Sequence, residues 1–274
     1  MGMKLKPKTG TALVRHAAVA GQFYPDDPQE LRADVERFLA AAKAVETVPK
    51  AVIAPHAGYF YSGPIAGSAY AGLARGRDSI RRVVLLGPSH HVAFAGLATS
   101  SAEAFESPLG RVPVDMKALD LLLSRLPQVT TRDEAHRHEH SLEVQLPFLQ
   151  VALGEFQLVP LVVGDATAAA VGEVLDTLWG GAETCIVVSS DLSHYLNYKT
   201  AQQTDSATAR SIEALDWARL EGEQACGCRP IRGLLKVAKE RGLCCRTVNL
   251  RNSGDTAGRR DRVVGYGAFV FTEG

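Results

Sequence analysis

The stretch RVVLLGPSHH, residues 82–91, sets the pattern on which this 274-residue chain is built. Its apolar run VVLL is too short for a helix and rich in β-branched residues, and polar residues follow it at once, so it predicts a buried strand. The same pattern recurs in AVIA at 51–54, in LVPLVV at 158–163, where Pro160 interrupts the run, and in CIVV at 185–188. Continuous apolar runs of this kind are typical of strands covered on both faces, as in parallel sheets.

Helical patterns separate these strands. The motif DPQE at 27–30 is typical of a helix start, with its aspartate as cap, and the apolar residues after it predict an amphipathic helix that ends near Val45. Further helices are predicted at 62–73, 114–126, 141–153, 166–179, 200–220 and 231–241, and a closing strand at 263–271. We therefore predict a single α/β domain over 1–274, with a mainly parallel or mixed central sheet flanked by helices and with 1–12 flexible.

The composition excludes several classes of protein. Thirty Lys and Arg residues balance thirty Asp and Glu residues, and 46% of the chain is hydrophobic. A chain with no basic excess is not expected to bind nucleic acid. The chain has no run of about 18 apolar residues, so no membrane helix is predicted. The basic start MGMKLKPKTG lacks the apolar run of a secretory signal. We expect a cytoplasmic protein that binds neither nucleic acid nor membranes.

Histidine is concentrated in a few places. Seven of the eight histidines fall in the segments PHAGY at 55–59, GPSHH at 87–91, HRHEH at 136–140 and SSDLSHY at 189–195. His56 follows one predicted strand, and His90 and His91 follow the next. Asp191 and His194 follow a third. Because ligands collect beyond the carboxyl ends of parallel strands, these side chains are expected at one edge of the sheet.

In each of the first two segments, a histidine can also be interpreted as having only a structural role. His56 can be a loop histidine bonded to backbone, but Ala57 and Gly58 beside it allow a ligand to approach closely. His90 and His91 are adjacent and point in different directions, so we expect His90 to bind a ligand and His91 to support it.

The segment HRHEHSLE admits two interpretations. In one it is an exposed, charged lead-in to a helix capped by Ser141, with His136 and His138 solvated. In the other, His140 and Glu143 lie three residues apart on one face of a helix and enter a pocket. The segment is not H-E-x-x-H, so the zinc-protease mechanism is not expected.

The last histidine segment offers an acid–base pair. Asp191 stands three residues before His194 and can orient its imidazole or cap a following helix. A serine hydrolase with Ser89 as nucleophile and these two residues as partners is an alternative. It is disfavoured because His91 occupies the position where a nucleophile elbow needs a small residue.

The five cysteines are an odd number and several are adjacent or one residue apart, so no disulfide framework is expected. None forms a C-x-x-C pair, so a structural zinc site is not expected either. Cys226 and Cys228 precede a predicted helix, with Arg229 and Arg232 nearby. This position predicts thiols of lowered pKa, suited to metal binding or redox chemistry. The alternative is two structural cysteines in a loop, and the Cys244-Cys245 pair is interpreted as structural.

Taken in order, the segments resemble those of a known family. AVAGQFYP, AVIAPHAGYFYSG, RVVLLGPSHH, HEHSLEVQLPFL, VPLVVG, VVSSDLSHY and CGCRPIRGLL are similar to the motifs of the Memo family, whose bacterial and archaeal members are known as AmmeMemoRadiSam system protein B. The resemblance extends from about Val14 to the last strand. It implies a fold like that of the class III extradiol dioxygenases, which are non-haem iron enzymes that open catechol rings.

The resemblance also implies a metal site. The family's metal-binding histidines match His56 and His90, and its cysteine ligand matches Cys226, with Cys228 as the alternative sulfur. The polar residues that line the same pocket are matched by Asp191, His194 and His140. Two imidazoles and a thiolate suit copper or zinc, and iron if a carboxylate or water supplies oxygen. We expect one metal ion, iron or copper, with zinc as an alternative.

Two hypotheses for function follow. In the first, the chain is a metal-dependent redox enzyme in which His194, with Asp191 and His140, acts on a small or phenolic substrate. In the second, it is a non-catalytic module that binds a phosphotyrosine-type peptide or a protein partner. The family name implies a radical-SAM protein and an AMMECR-type protein as pathway partners.

Overall fold

The computed structural model describes residues 13–43 and 46–274. The prediction for 1–12 and the predicted helix end at Val45 therefore lie outside the described residues. The strands are β1 (Val14–Arg15), β2 (Ala51–Ala54), β3 (Arg82–Pro88), β4 (Leu97–Thr99), β5 (Ala104–Ser107), β6 (Gly110–Pro113), β7 (Val129–Thr131), β8 (Gln157–Val163), β9 (Thr184–Ser189), β10 (His194–Leu196), β11 (Leu243–Asn252) and β12 (Val263–Glu273). The helices are α1 (Pro28–Ala40), α2 (Tyr59–Ala74), α3 (Met116–Arg125), α4 (Asp133–Arg137), α5 (Leu146–Leu153), α6 (Ala168–Leu178), α7 (Tyr198–Glu213), α8 (Cys228–Glu240) and α9 (Ser253–Thr256).

Nine of the described strands form one mixed sheet. Eight of them follow the order β10-β12-β2-β9-β3-β8-β4-β7, and the ninth, β11, also pairs with β12. Its centre, β2-β9-β3-β8, is parallel throughout. Antiparallel pairs flank this centre on both sides, β12 with β2 and β4 with β8. β1, β5 and β6 form a separate small sheet. The prediction of one α/β domain with a mixed sheet flanked by helices is confirmed.

The four apolar runs of the sequence form the centre of the sheet because strands covered on both faces need apolar residues at every position. Every residue of β2 and β9 is buried, as are all but the first residue of β3 and β8. Pro160 does not interrupt β8 and pairs in register with Leu85. β4 pairs with β8 only at Val162 and Val163, so one edge of β8 is unpaired at Pro160, where a missing N–H is tolerated.

The first helix begins as its sequence indicates. Asp27 accepts hydrogen bonds from the backbone N–H groups of Gln29 and Glu30, which satisfies the free donors of the first turn. α1 ends at Ala40. Its close packing on α2 depends on Gly67, where a Cβ would lie 2.5 Å from the Phe38 carbonyl oxygen.

Elements outside the apolar runs were harder to predict. The helix predicted at 141–153 is a 3₁₀ turn, Glu143–Gln145, followed by α5, and the helix predicted at 200–220 ends at Glu213. β11 was not predicted, because its half-exposed residues do not alternate cleanly between polar and apolar. No helix in the described part of the chain is long and apolar enough to span a membrane.

Candidate metal centre

The carboxyl edge of the parallel strands carries the candidate site. His56 follows β2, His90 follows β3 and Asp191 follows β9. Because β2, β9 and β3 are adjacent and parallel, their last residues end at the same edge of the sheet. The prediction that these segments meet there is confirmed.

Three imidazoles come together at this edge. His56, His90 and His140 each offer a ligand nitrogen, and these three atoms lie within 4.8 Å of one another. The ring centroids of His90 and His140 are 4.8 Å apart, and both are within 5.4 Å of that of His56. His140, predicted only to line the pocket, therefore belongs to the group that can hold an ion. His91 is exposed, with its ring centroid 6.3 Å from that of His140.

Hydrogen bonds fix the tautomer of His56. Ser189 Oγ has one hydrogen, which it donates to the Ser141 carbonyl oxygen at 2.6 Å. The same oxygen must then accept from Gln145 Nε2 at 2.7 Å and from His56 Nδ1 at 2.9 Å. The Nδ1 atom of His56 carries the proton, so its Nε2 atom presents a lone pair.

Glu139 holds His90 and lies beside His140. It accepts from the backbone N–H and the Nδ1 atom of His90, at 2.6 and 2.9 Å, and from the Ser141 backbone N–H at 2.8 Å. His140 Nδ1 lies 3.5 Å from the same carboxylate. Burial raises the pKa of Glu139, but the hydrogen bonds and charge of His90 outweigh it and lower the pKa to about 2. Glu139 is therefore ionised and leaves Nε2 of His90 facing the site.

The buried imidazoles are neutral at physiological pH. Burial lowers the pKa of His56 well below its usual value, and neighbouring His90 and His140 lower it further. Burial also lowers the pKa of His140 to about 4. Neutral imidazoles retain the lone pairs that bind metal ions, so the protonation states of His56 and His140 suit coordination.

Cys226 lies beside one member of the cluster, His56, and comes from another element. Its Sγ atom lies 3.2 Å from His56 Nε2, just before α8, although it does not lie within 4.8 Å of all three imidazole nitrogens. The prediction of a lowered pKa is wrong for both cysteines: burial raises the pKa of Cys226 to about 12 and raises that of Cys228. Desolvation outweighs the helix terminus and Arg229 because the thiols are covered. The contact with His56 favours Cys226 as the sulfur ligand.

Asp191 supports His56 instead of His194. Its Oδ1 atom accepts from the His56 backbone N–H at 2.8 Å, and the Ala57 backbone N–H donates to the same carboxyl group. Burial raises its pKa to about 7. No helix follows for it to cap, because the chain enters β10. Burial lowers the pKa of His194, as does the charge of His90, so His194 lies within electrostatic reach of the cluster.

Both interpretations of the HRHEHSLE segment need correction. His136 is buried and its Nε2 atom donates to the Ala98 carbonyl, whereas His138 is exposed as expected. Ser141 does not cap a helix but donates to the Pro88 carbonyl. His140 precedes the 3₁₀ turn that contains Glu143, and Glu143 pairs with Arg15 away from the imidazoles. The tight packing of this segment against other elements is a tertiary effect.

The serine hydrolase alternative has no support in the described residues. Ser89 Oγ donates its hydrogen to the Val92 carbonyl oxygen at 2.6 Å. A nucleophilic serine needs a histidine as the acceptor of that hydrogen.

Three residues that position the imidazoles were not identified from the sequence: Glu139, Ser189 and Gln145. Glu139 had a signal, since it stands between two histidines in HRHEH, and Ser189 had a weaker one at a strand end. Gln145 had none, because its contact with Ser189 joins residues 44 positions apart.

The mixed sheet and the imidazole cluster at its carboxyl edge define an α/β protein with a site able to hold a metal ion. The sequence matches the family model "Memo-like protein" over residues 15–270, and the chain belongs to this family. It is 34% identical to a MEMO1 family protein of Methanopyrus kandleri, over 95% of this chain and 99% of the relative. It is 35% identical to MEMO1 family proteins of Methanosarcina mazei and Aquifex aeolicus, over 94% of this chain and 98% and 99% of the relatives.

Proposed function

We propose that this protein is a metal-dependent redox enzyme, dioxygenase-like in fold, that acts on a small or phenolic substrate. One observation carries the proposal: His56, His90 and His140 present converging ligand nitrogens. Cys226 lies against the first of them. These four residues would hold one ion.

The donor set fits such an ion. A nitrogen and a sulfur bound to one tetrahedral ion lie about 3.5 Å apart, and Cys226 Sγ lies 3.2 Å from His56 Nε2. Imidazole and thiolate ligands suit copper and zinc, and imidazole also suits iron. We propose iron or copper, with zinc as the alternative, and either of the first two would supply redox chemistry when bound.

Other residues would handle the substrate. His194, within electrostatic reach of His90, would act as acid or base toward it. A cleft of about 530 Å³ reaches Cys226; Pro88, Val92 and Phe94 line one part of it, and Asp165 and Arg229 line another. This volume lies in the range of small-molecule sites, about 300–1,000 Å³, and the apolar wall suits an aromatic ring.

The setting of this reaction is also proposed. A radical-SAM protein and an AMMECR-type protein would act in the same pathway, as the family's bacterial name implies, in the cytoplasm. The balanced charge of the chain supports a small-molecule or peptide ligand over a nucleic acid.

Metal analysis of protein purified without chelator tests the proposal. Wild type should hold about one ion per chain, and the His56→Ala/His90→Ala double variant should hold only background amounts, because two of the four ligands are gone. His16→Ala/His138→Ala is the matched control, since both of its histidines are exposed and outside the cluster. Equal metal content in wild type and the His56/His90 variant would contradict the proposal.

A second candidate function is supported by exposed aromatic rings that follow His56 and His194 closely in the chain. Phe60 is 74% exposed, Tyr61 43% and Tyr195 62%, and Tyr195 has a left-handed backbone with φ of 60°. Such rings suit a module that binds phosphotyrosine-type peptides or a protein partner. Turnover of a catechol under oxygen with no preference for phosphorylated over unphosphorylated peptide would exclude it. The reverse result would favour it.

A further inference from the structure

We infer that Glu139 is a positioning residue that gives the metal centre a fixed negative charge, and that it thereby favours a divalent ion over a monovalent one. This inference rests on the proposed function and deepens it. The sequence signal for Glu139 is its place between two histidines in HRHEH. The inference depends on its contacts, which connect it to two of the three imidazoles.

The contacts fix the charge of Glu139 on geometric grounds. Oε2 accepts from the His90 backbone N–H, and Oε1 accepts from His90 Nδ1 and from the Ser141 backbone N–H. Donors therefore occupy both oxygens, and no acceptor faces the carboxyl group to receive a proton of its own. Its side chain is 1% exposed, so neither water nor salt screens the charge.

The charge acts on the site through the imidazoles. A carboxylate that accepts from Nδ1 orients the ring and raises the basicity of the opposite nitrogen. His90 is held in this way at 2.9 Å, and His140 Nδ1 lies 3.5 Å from the same oxygen. Ser189, which anchors the ring of His56, is neutral, and Asp191 bonds the backbone N–H groups of His56 and Ala57. The nearby carboxylate Glu143 is paired with Arg15, so its charge is compensated.

A fixed negative charge attracts an ion in proportion to the charge of that ion. Glu139 should therefore contribute more to the affinity for Co²⁺, taken as a divalent probe, than to the affinity for Cu⁺. Geometry alone would affect both ions, because both need the same converging nitrogens.

Comparison of the two ions in the variant Glu139→Gln separates the effect of the charge from the effect of the geometry. Glutamine keeps the size of the side chain and removes the charge, but its amide group must face a donor. Where the amide N–H₂ group faces the backbone N–H of His90, two donors meet and the hydrogen bond is lost. Where the amide N–H₂ group faces His90 Nδ1, that nitrogen must accept a hydrogen bond. This favours the tautomer with the proton on Nε2, the nitrogen that faces the site. Glu139→Asp keeps the charge and changes the distance.

The experiment measures dissociation constants for Co²⁺ and for Cu⁺ by anaerobic competition with chelators, in wild type, Glu139→Gln and Glu139→Asp. Glu139→Gln should weaken Co²⁺ binding by about 10–100-fold and Cu⁺ binding by clearly less. Glu139→Asp should keep the wild-type ratio of the two constants even if both binding affinities fall. The absorption bands of bound Co²⁺ should shift in Glu139→Gln, because the ring orientation changes.

Glu106→Gln is the matched control. Glu106 also bonds a histidine, His16 at 2.6 Å, but that pair is far more exposed and does not belong to the imidazole cluster. Glu106→Gln should leave the dissociation constants for Co²⁺ and Cu⁺ unchanged.

Equal losses for the two ions in Glu139→Gln, or no loss for Co²⁺, would overturn the inference. If Glu139→Gln does not fold, Glu139→Asp decides: a fall in Co²⁺ affinity relative to Cu⁺ affinity overturns the inference, and a ratio of the two constants kept at the wild-type value supports it. Failure of wild type to bind either ion would instead refute the proposed function, and the two failures are thus distinguishable.

Discussion

Glu139 and Glu143 are buried carboxylates four residues apart, yet they serve different parts of the molecule. Glu143 pairs with Arg15 and accepts from the backbone N–H groups of Ala18 and Val19. It also accepts from Tyr24 Oη. All of these partners lie in the N-terminal segment, so Glu143 fastens that segment to the core.

Glu139 has partners of another kind. Two of its neighbours are imidazoles, His90 and His140, each with a second nitrogen on the opposite side of the ring. The Arg15–Glu143 cluster is satisfied by the protein itself, whereas the Glu139 cluster directs unused lone pairs to one point. Buried polar groups are normally satisfied, so the cluster with unused lone pairs is the one that indicates a ligand.

The largest effect is expected where the satisfied cluster is broken. Arg15→Met leaves Glu143 without its counter-ion in the interior, and the loss of one partner of a buried ion pair costs about 3–5 kcal/mol. Arg15 also donates to the His136 and Glu139 carbonyls, which would lose their donor. Urea denaturation should show this fall in the free energy of unfolding.

Loss of an exposed ion pair provides the control. Asp261→Asn removes the exposed pair with Arg259 and should leave the free energy of unfolding almost unchanged. A loss of similar size in both variants would mean that the Arg15–Glu143 pair has no special structural role.

A smaller effect is expected from the metal at the other cluster. An ion that binds only the folded chain stabilises it by about 2.7 kcal/mol at a free concentration 100 times its dissociation constant. Thermal unfolding of wild type with and without that ion, for example Zn²⁺, should show this increase in stability as a higher melting temperature. His140→Ala should reduce it, because one of the three imidazole ligands is gone. An undiminished increase in His140→Ala would remove His140 from the ligand set.

The most gradual effect, spread over more than two pH units, concerns His136, which belongs to the structural side of the comparison. Burial lowers its pKa from 6.5 to about 4. Above the unfolded-state pKa both states are neutral. Between the two values the unfolded chain takes up a proton that the folded chain does not, so stability falls as the pH falls. The contribution is at most about 1.4 kcal/mol per pH unit.

His136→Gln removes this titration while its amide can still donate to the Ala98 carbonyl. Urea denaturation across the window between pH 6.5 and 4 should therefore show a shallower pH dependence in this variant than in wild type. Identical slopes would mean that His136 is protonated in the folded state.

Prediction from sequence succeeded where one local pattern decides the structure. The apolar runs predicted β2, β3, β8 and β9, because strands buried on both faces cannot tolerate polar residues. It failed for β11, where half-exposed residues obey no clear pattern. It also failed for Pro160, because tolerance of proline depends on which edge of β8 is paired.

The site divides in the same way. Parallel strands place their carboxyl ends together, so the sequence alone brought His56 and His90 to one edge of the sheet. The position of His140 follows from the packing of a loop between α4 and α5, which no local pattern encodes.

The sequence by itself therefore determined the fold class, the edge of the sheet that carries the site and two of its imidazoles, because these depend on local hydrophobic patterns. Only the tertiary structure decided the third imidazole, the hold of Glu139 on His90 and the raised pKa of Cys226. The physical reason is that hydrogen-bond partners and desolvation depend on which distant residues cover a group, and these are brought together only by packing.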